Sequence, residues 1–123
     1  MAYNERMREC IDLVYIPLNF WRDLVARKTP EGRFKEEFNK DLNFLLPDIV
    51  IVKNDEQMLQ GIPDQLVLYR DRWAMLEFKA SANAAVQPNQ RYYIGLFNSM
   101  SYAAFVYPEN GDDILEELQR HLC

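Results

Sequence analysis

Two apolar runs, Gln65 to Tyr69 (QLVLY) and Trp73 to Phe78 (WAMLEF), flank the charged stretch Arg70-Asp71-Arg72. Val, Leu, Tyr, Trp and Phe suit a pleated, partly buried surface and the charges suit a tight turn, so this segment predicts a β-hairpin. A turn centred between Arg70 and Asp71 sets the antiparallel register and places Asp64 opposite Glu77, whether the loop has two residues or four. Side chains alternate along a strand, so Glu77 and Lys79 share one side while Leu76 and Phe78 take the other.

The pattern on either side of the hairpin predicts helices and two further strands. Phe34, Phe38, Leu42 and Leu45 recur at four and three residues, a helical stripe stopped by Pro47. Thr29, Pro30 and Glu31 supply the N-cap, the first helical position and the first-turn acid for that helix. Asp48 to Lys53 (DIVIVK) has a continuous apolar centre, which predicts an interior strand. Residues 54–60 are polar and read as a loop, and Ala80 to Pro88 has no regular pattern. Pro88 and Asn89 open a helix carrying Tyr92, Tyr93, Leu96, Phe97 and Met100; Ser101 to Tyr107 is a strand closed by Pro108. A last helix runs from Asp112 to Leu122, acidic at its start and with Arg120 and His121 at its end, in agreement with the helix dipole. His121 is expected at the surface, without a catalytic role.

Ahead of these elements, Met7, Cys10, Ile11, Val14 and Tyr15 follow helical spacing up to Pro17, and Phe20, Trp21, Leu24 and Val25 form a second stripe. Such stripes mostly serve burial, so residues 1–28 are expected to form a helical extension used for packing or dimerisation rather than as an arm that touches substrate. The whole is a single α/β domain over residues 1–123: the extension, a core over 29–108, and an acidic C-terminal helix over 109–123. A mixed central sheet lies between helices on both sides.

Charge constrains the partners. The chain carries a net charge of -5, against the basic footprint expected of a nucleic-acid binder. Much of the excess lies at the end, where Glu109, Asp112, Asp113, Glu116 and Glu117 face Arg120 alone. The remainder is close to neutral. That balance disfavours tight nonspecific binding to duplex DNA and favours a substrate chosen by shape, or a helper protein. No apolar run approaches the ~20 residues that span a bilayer, and the N-terminus lacks a signal-peptide layout, so a cytoplasmic location is expected. Cys10 and Cys123 show no CxxC spacing and there is no histidine cluster, which suggests neither a disulfide framework nor a zinc site.

The candidate chemistry sits in Pro63-Asp64 and Glu77-Phe78-Lys79. Two opposed carboxylates repel, and a bound cation removes the conflict. Oxygen ligands suit Mg²⁺ or Mn²⁺. Lys79 beside the ion can orient a water and offset charge at phosphorus. Each half alone is commonplace: Glu-x-Lys is frequent on a solvated strand face, and Asp after Pro often opens a turn. Their matching register makes the combination more specific. Glu31 at a helix entrance also has a sufficient role in the dipole.

At these residues the sequence resembles the PD-(D/E)XK nuclease superfamily, and looks most similar to the small phage and bacterial nucleases of the VRR-NUC type and to Holliday-junction resolvases. Thr29-Pro30-Glu31-Gly32, Gly61-Ile62 and Gln90 support the likeness, which covers about Thr29 to Pro108. It implies the restriction-endonuclease-like αβββαβ core and a Mg²⁺- or Mn²⁺-dependent endodeoxyribonuclease. Asp64, Glu77, the Phe78 backbone carbonyl and Glu31 would be the metal ligands, Lys79 would position the water and Gln90 would assist. Arg91, Tyr92 and Lys53 are candidate contacts to the DNA backbone. A homodimer is expected, because a small one-site chain cuts two strands with two copies, and branched DNA is the first substrate. The other readings are a homing-type or nicking endonuclease on duplex DNA, and a noncatalytic nuclease-fold module that binds DNA or protein.

Overall fold

The computed structural model describes residues 33–123. The readings of residues 1–28 as a helical extension, of Thr29 as a cap and of Glu31 as a ligand fall outside the described residues.

The described chain runs α1 (Phe34–Leu45), β1 (Val50–Lys53), β2 (Gln65–Tyr69), β3 (Arg72–Phe78), α2 (Pro88–Met100), β4 (Ala103–Val106) and α3 (Gly111–Leu122). The strands form one sheet in the order β1-β2-β3-β4. The β1-β2 and β2-β3 pairs are antiparallel and β3-β4 is parallel, a mixed sheet as expected. Parallel strands need a long crossover, which α2 supplies.

The hairpin register is the expected one: Gln65 pairs with Leu76 and Tyr69 with Arg72. Arg70 takes the turn's left-handed conformation at φ 59°, the geometry that lets a two-residue loop follow the twist of its strands.

Alternation sorts the sheet into two faces. Val67, Tyr69, Ala74 and Leu76 point to a core closed by Phe38, Leu42 and Leu45 of α1 and Leu115, Leu118 and Leu122 of α3. Phe78 packs there too, its ring edge-on to Phe38 at 5.4 Å and to Phe34 at 6.1 Å. α1 and α3 approach closely where Gly111 faces Phe34; a Cβ on Gly111 would lie 3.2 Å from the ring. The core face also contains a polar pair. Gln65, fully buried, exchanges two hydrogen bonds with Asn39 of α1, at 2.8 and 3.1 Å, so a buried amide is satisfied without water.

α2 covers the opposite face over β3 and β4. None of its residues is buried. Its aromatics are half-buried or exposed rather than core, with Phe97 edge-on to Trp73 and stacked on Tyr93.

Three expectations need correction. β1 is an edge strand among the described residues, not an interior one: Val50 is 53% exposed and Val52 40%. An apolar run shows that a strand is attractive to a sheet, but not how many neighbours it gains. His121 is not simply a surface residue. It is half-buried, with Nε2 2.9 Å from Ser101 Oγ, at the end of the sheet where β3 begins. Cys123, buried at the end of α3, is disulfide-bonded, which the cysteine spacing does not suggest because spacing along the chain says little about what meets in space.

Candidate active site

The polar cluster lies on the α2 face of the sheet, at the C-terminal end of β3. Three local features put it there. Asn54, just after β1, donates its backbone N–H to Asp64 O at 2.9 Å and its side-chain amide to Pro63 O at 2.9 Å, pinning the Pro63-Asp64 pair before β2 starts. Gly61 has φ +92° and so close an approach to α2 that a Cβ would lie 2.7 Å from the Asn89 side chain and 3.0 Å from its backbone. Only glycine meets both demands. α2 then begins at Pro88 with a Gln87–Gln90 capping box, which places Gln90 in the first turn, facing β3.

Across the hairpin the two carboxylates interlock. The Asp64 N–H donates to Glu77 Oε1 at 3.1 Å, and the Phe78 N–H donates to Asp64 Oδ2 at 2.8 Å. A strand residue's N–H and C=O point to the same side, so the Phe78 carbonyl also faces the β2 side, toward Asp64. Lys79 Nζ donates to Gln90 Oε1 at 2.7 Å and lies 3.8 Å from Glu77 Oε2. Gln90 Nε2 donates to Glu77 Oε2 at 3.2 Å, and Gln90 Oε1 also accepts from the Gln87 N–H at 3.1 Å. The Gln90 amide therefore has one orientation: its oxygen meets donors and its nitrogen meets the carboxylate.

Glu77 is 4% exposed. Burial, then the neighbouring Asp64 charge, push its carboxyl up to about 7, against the pull of Lys79 and the Asp64 N–H; Glu56 adds to the rise. Desolvation disfavours the charged form and a like charge does the same. Glu56 lines a small polar cleft of about 170 Å³ with Gln60, Gly61, Gln87, Asn89 and Gln90.

Of the expected site residues, Asp64, Glu77, Phe78, Lys79 and Gln90 come together. Lys53 does not join them. It pairs with Gln65 and shares that residue's side of the sheet, away from the carboxylates. Arg91 is exposed one residue beyond Gln90, and Tyr92 is 63% exposed with its ring edge-on to Tyr93. Asn54 and Glu56 escaped the sequence reading; their signal is only that a polar loop returns the chain to Pro63-Asp64.

The donor set fits a divalent ion. Two carboxylates meet in a half-dry site where their mutual repulsion already raises one of them, and Asp64 Oδ1 takes no part in the hydrogen bonds above. Among the described residues no group of three or more His, Cys, Asp or Glu forms a fuller cage. Such a site would leave coordination positions to water and substrate, the habit of Mg²⁺.

No family model matches the sequence, and no curated protein matches it. Among solved structures, one described as a VRR_NUC domain is 24% identical, with a TM-score of 0.58, and the match covers 78% of this chain and all of that one. A VRR_NUC domain protein is 16% identical, with a TM-score of 0.51, over 78% of this chain and 91% of the other. The mixed four-stranded sheet with its flanking helices is thus the fold of VRR_NUC domain structures, the architecture that the Pro-Asp and Glu-x-Lys pair led us to expect.

Proposed function

We propose that this protein is a metal-dependent endodeoxyribonuclease. The observation that carries the proposal is the interlocked Asp64–Glu77 pair with Lys79 held against it by Gln90. The shared fold with VRR_NUC domain structures supports the nuclease reading.

Asp64, Glu77 and the Phe78 carbonyl would hold Mg²⁺ or Mn²⁺, with Glu31 a further ligand. The ion, when bound, polarises the phosphodiester and neutralises charge on the leaving oxygen. Lys79 positions the attacking water and places its ammonium where negative charge develops at phosphorus. Gln90 fixes the ammonium, and Arg91 and Tyr92, exposed on the same helix, meet the DNA backbone. The near neutrality of residues 1–108 supports a substrate selected by shape, a branched DNA such as a four-way junction, cut by a homodimer with one site per copy.

The test is incubation of a four-way junction and a plain duplex of the same sequence with Mg²⁺, using the wild type, Asp64→Asn and Lys79→Ala. The expected result is junction cleavage by the wild type alone, with each variant slower by about a hundredfold or more, the scale of losing one transition-state charge contact. Cleavage of neither substrate by the wild type in Mg²⁺ or Mn²⁺ defeats the proposal. So does equal cleavage by Asp64→Asn.

A further inference from the structure

A groove of about 560 Å³ runs along the outer edge of β4, between α2 and α3, and the nuclease reading makes no use of its length. Ile94 and Asn98 border it from α2 and Ile114 and Glu117 from α3, while Lys79 and Arg91 stand at one end.

The backbone of this edge is partly occupied in a specific way. Tyr102 O and Val106 O bond to β3, through the N–H groups of Met75 and Lys79. The peptide groups of Ala103 and Phe105 therefore face the groove, as parallel pairing requires. Asn98 Oδ1 accepts from Ala103 N–H at 3.1 Å, and Asn110 Nδ2 donates to Phe105 O at 3.0 Å. Asn110 Oδ1 also takes the Tyr107 N–H at 2.9 Å. Two side chains thus close the edge at both ends. Between them Ala103 O and Phe105 N–H, one acceptor and one donor, have no hydrogen-bond partner among the described residues.

That remaining pair selects a direction. An antiparallel neighbour bonds both groups of a single residue, and here each residue has one group already taken. A parallel neighbour needs the carbonyl of one residue and the N–H of the next but one, which is what remains. A phosphate chain cannot satisfy it, because phosphate oxygens accept and have nothing to donate to Ala103 O.

Charge along the groove points the same way. Glu117, beside Tyr102, marks the start of β4, and the exposed Arg91 marks its end. A segment parallel to β4 lays its N-terminal side by the acid and its C-terminal side by the base.

From this geometry we propose that the β4 edge binds an extended polypeptide segment parallel to β4, one residue of which bonds Ala103 O and Phe105 N–H, with a basic residue before it and an acidic one after. The mode is strand addition, in which backbone bonds supply attachment and flanking side chains supply choice. The backbone groups it uses, Ala103 O and Phe105 N–H, are not among those assigned to the nuclease site.

The test is amide-resolved NMR titration of the full chain with two blocked peptides, Lys-Val-Thr-Val-Glu and its charge-swapped form Glu-Val-Thr-Val-Lys. The first should shift the Phe105 amide and slow its hydrogen exchange. It should bind roughly fivefold more tightly than the second, the scale of two exposed ion pairs. In the Arg91→Glu, Glu117→Lys double variant, whose changes lie at exposed positions, the preference should reverse. No change at Phe105 with either peptide, or equal binding of the two, overturns the proposal. So does a shift of Phe105 by a single-stranded oligonucleotide alone, which would assign the groove to nucleic acid.

Discussion

Asp64 and Glu77 hold each other through the backbone. Glu77 Oε1 accepts from the Asp64 N–H, while Asp64 Oδ2 accepts from the N–H of Phe78, the residue after Glu77. Two carboxylates that should repel are thus anchored side by side. The tension that remains is visible in the Glu77 carboxyl, pushed up to about 7 by burial first and by Asp64 second.

This gives a pH dependence with a definite sign. Between 4.5, the ordinary value for Glu77, and about 7, the folded protein holds more of a proton at this site than the unfolded chain. The metal-free protein should therefore lose stability from this residue as pH rises through that window. Glu77→Gln, which cannot ionise, should lack that component. The measurement is Tm from pH 4.5 to 8 without metal. A wild-type curve that gains on Glu77→Gln as pH rises would contradict it. Because a metal must displace the proton, apparent Mg²⁺ affinity should climb by up to about tenfold per pH unit below 7, readable as the Mg²⁺-dependent rise in Tm.

Gln90 joins Lys79 to Glu77 through one amide. Gln90→Ala should leave the fold intact, since the residue is only half-buried on a helix with no buried residues. Cleavage should fall by about tenfold to a hundredfold, the range for misplacing a positioned group. Gln90→Glu restores an acceptor for Lys79 but sets a carboxylate against Glu77, and should recover less activity than wild type while raising the pH at which activity appears. Full activity in Gln90→Ala would remove Gln90 from the machinery.

Gly61→Ala meets two obstacles, a left-handed φ and the Asn89 contact. We expect a loss of roughly 2 to 3 kcal/mol, the sum of backbone strain and overpacking. Asn89→Gly in the same chain should return the part due to the Asn89 side chain and leave the φ part and the backbone contact, a double-mutant cycle by chemical denaturation that would show no coupling if the side-chain approach were unimportant.

Much of this arrangement is legible in the chain. The Arg70-Asp71 turn fixes the pairing of Gln65 with Leu76, and period-two alternation then places Glu77 on the face opposite Leu76. Pairing order is less legible. Val50 to Lys53 is as apolar as an inner strand yet lies at the rim among the described strands, because what surrounds a strand depends on where distant segments dock. The place of Lys53, apart from the carboxylates, is hidden for the same reason, since its side of the sheet follows from the β1-β2 register, which no local turn sets. The Asn54 clamp and the Asn39–Gln65 pair are invisible in sequence because a polar residue carries no mark of its distant partner.

The site is also built from near neighbours: 13 positions separate Asp64 from Glu77 and 11 separate Lys79 from Gln90. The contact of Phe34 with Gly111 spans most of the described chain. By polymer statistics, closing the shorter loop costs about 1.5 kcal/mol less than closing the longer one. The reactive corner therefore closes at a lower entropic cost than the docking of α1 on α3, so the chemistry rests on local chain closure and the interior on distant closure.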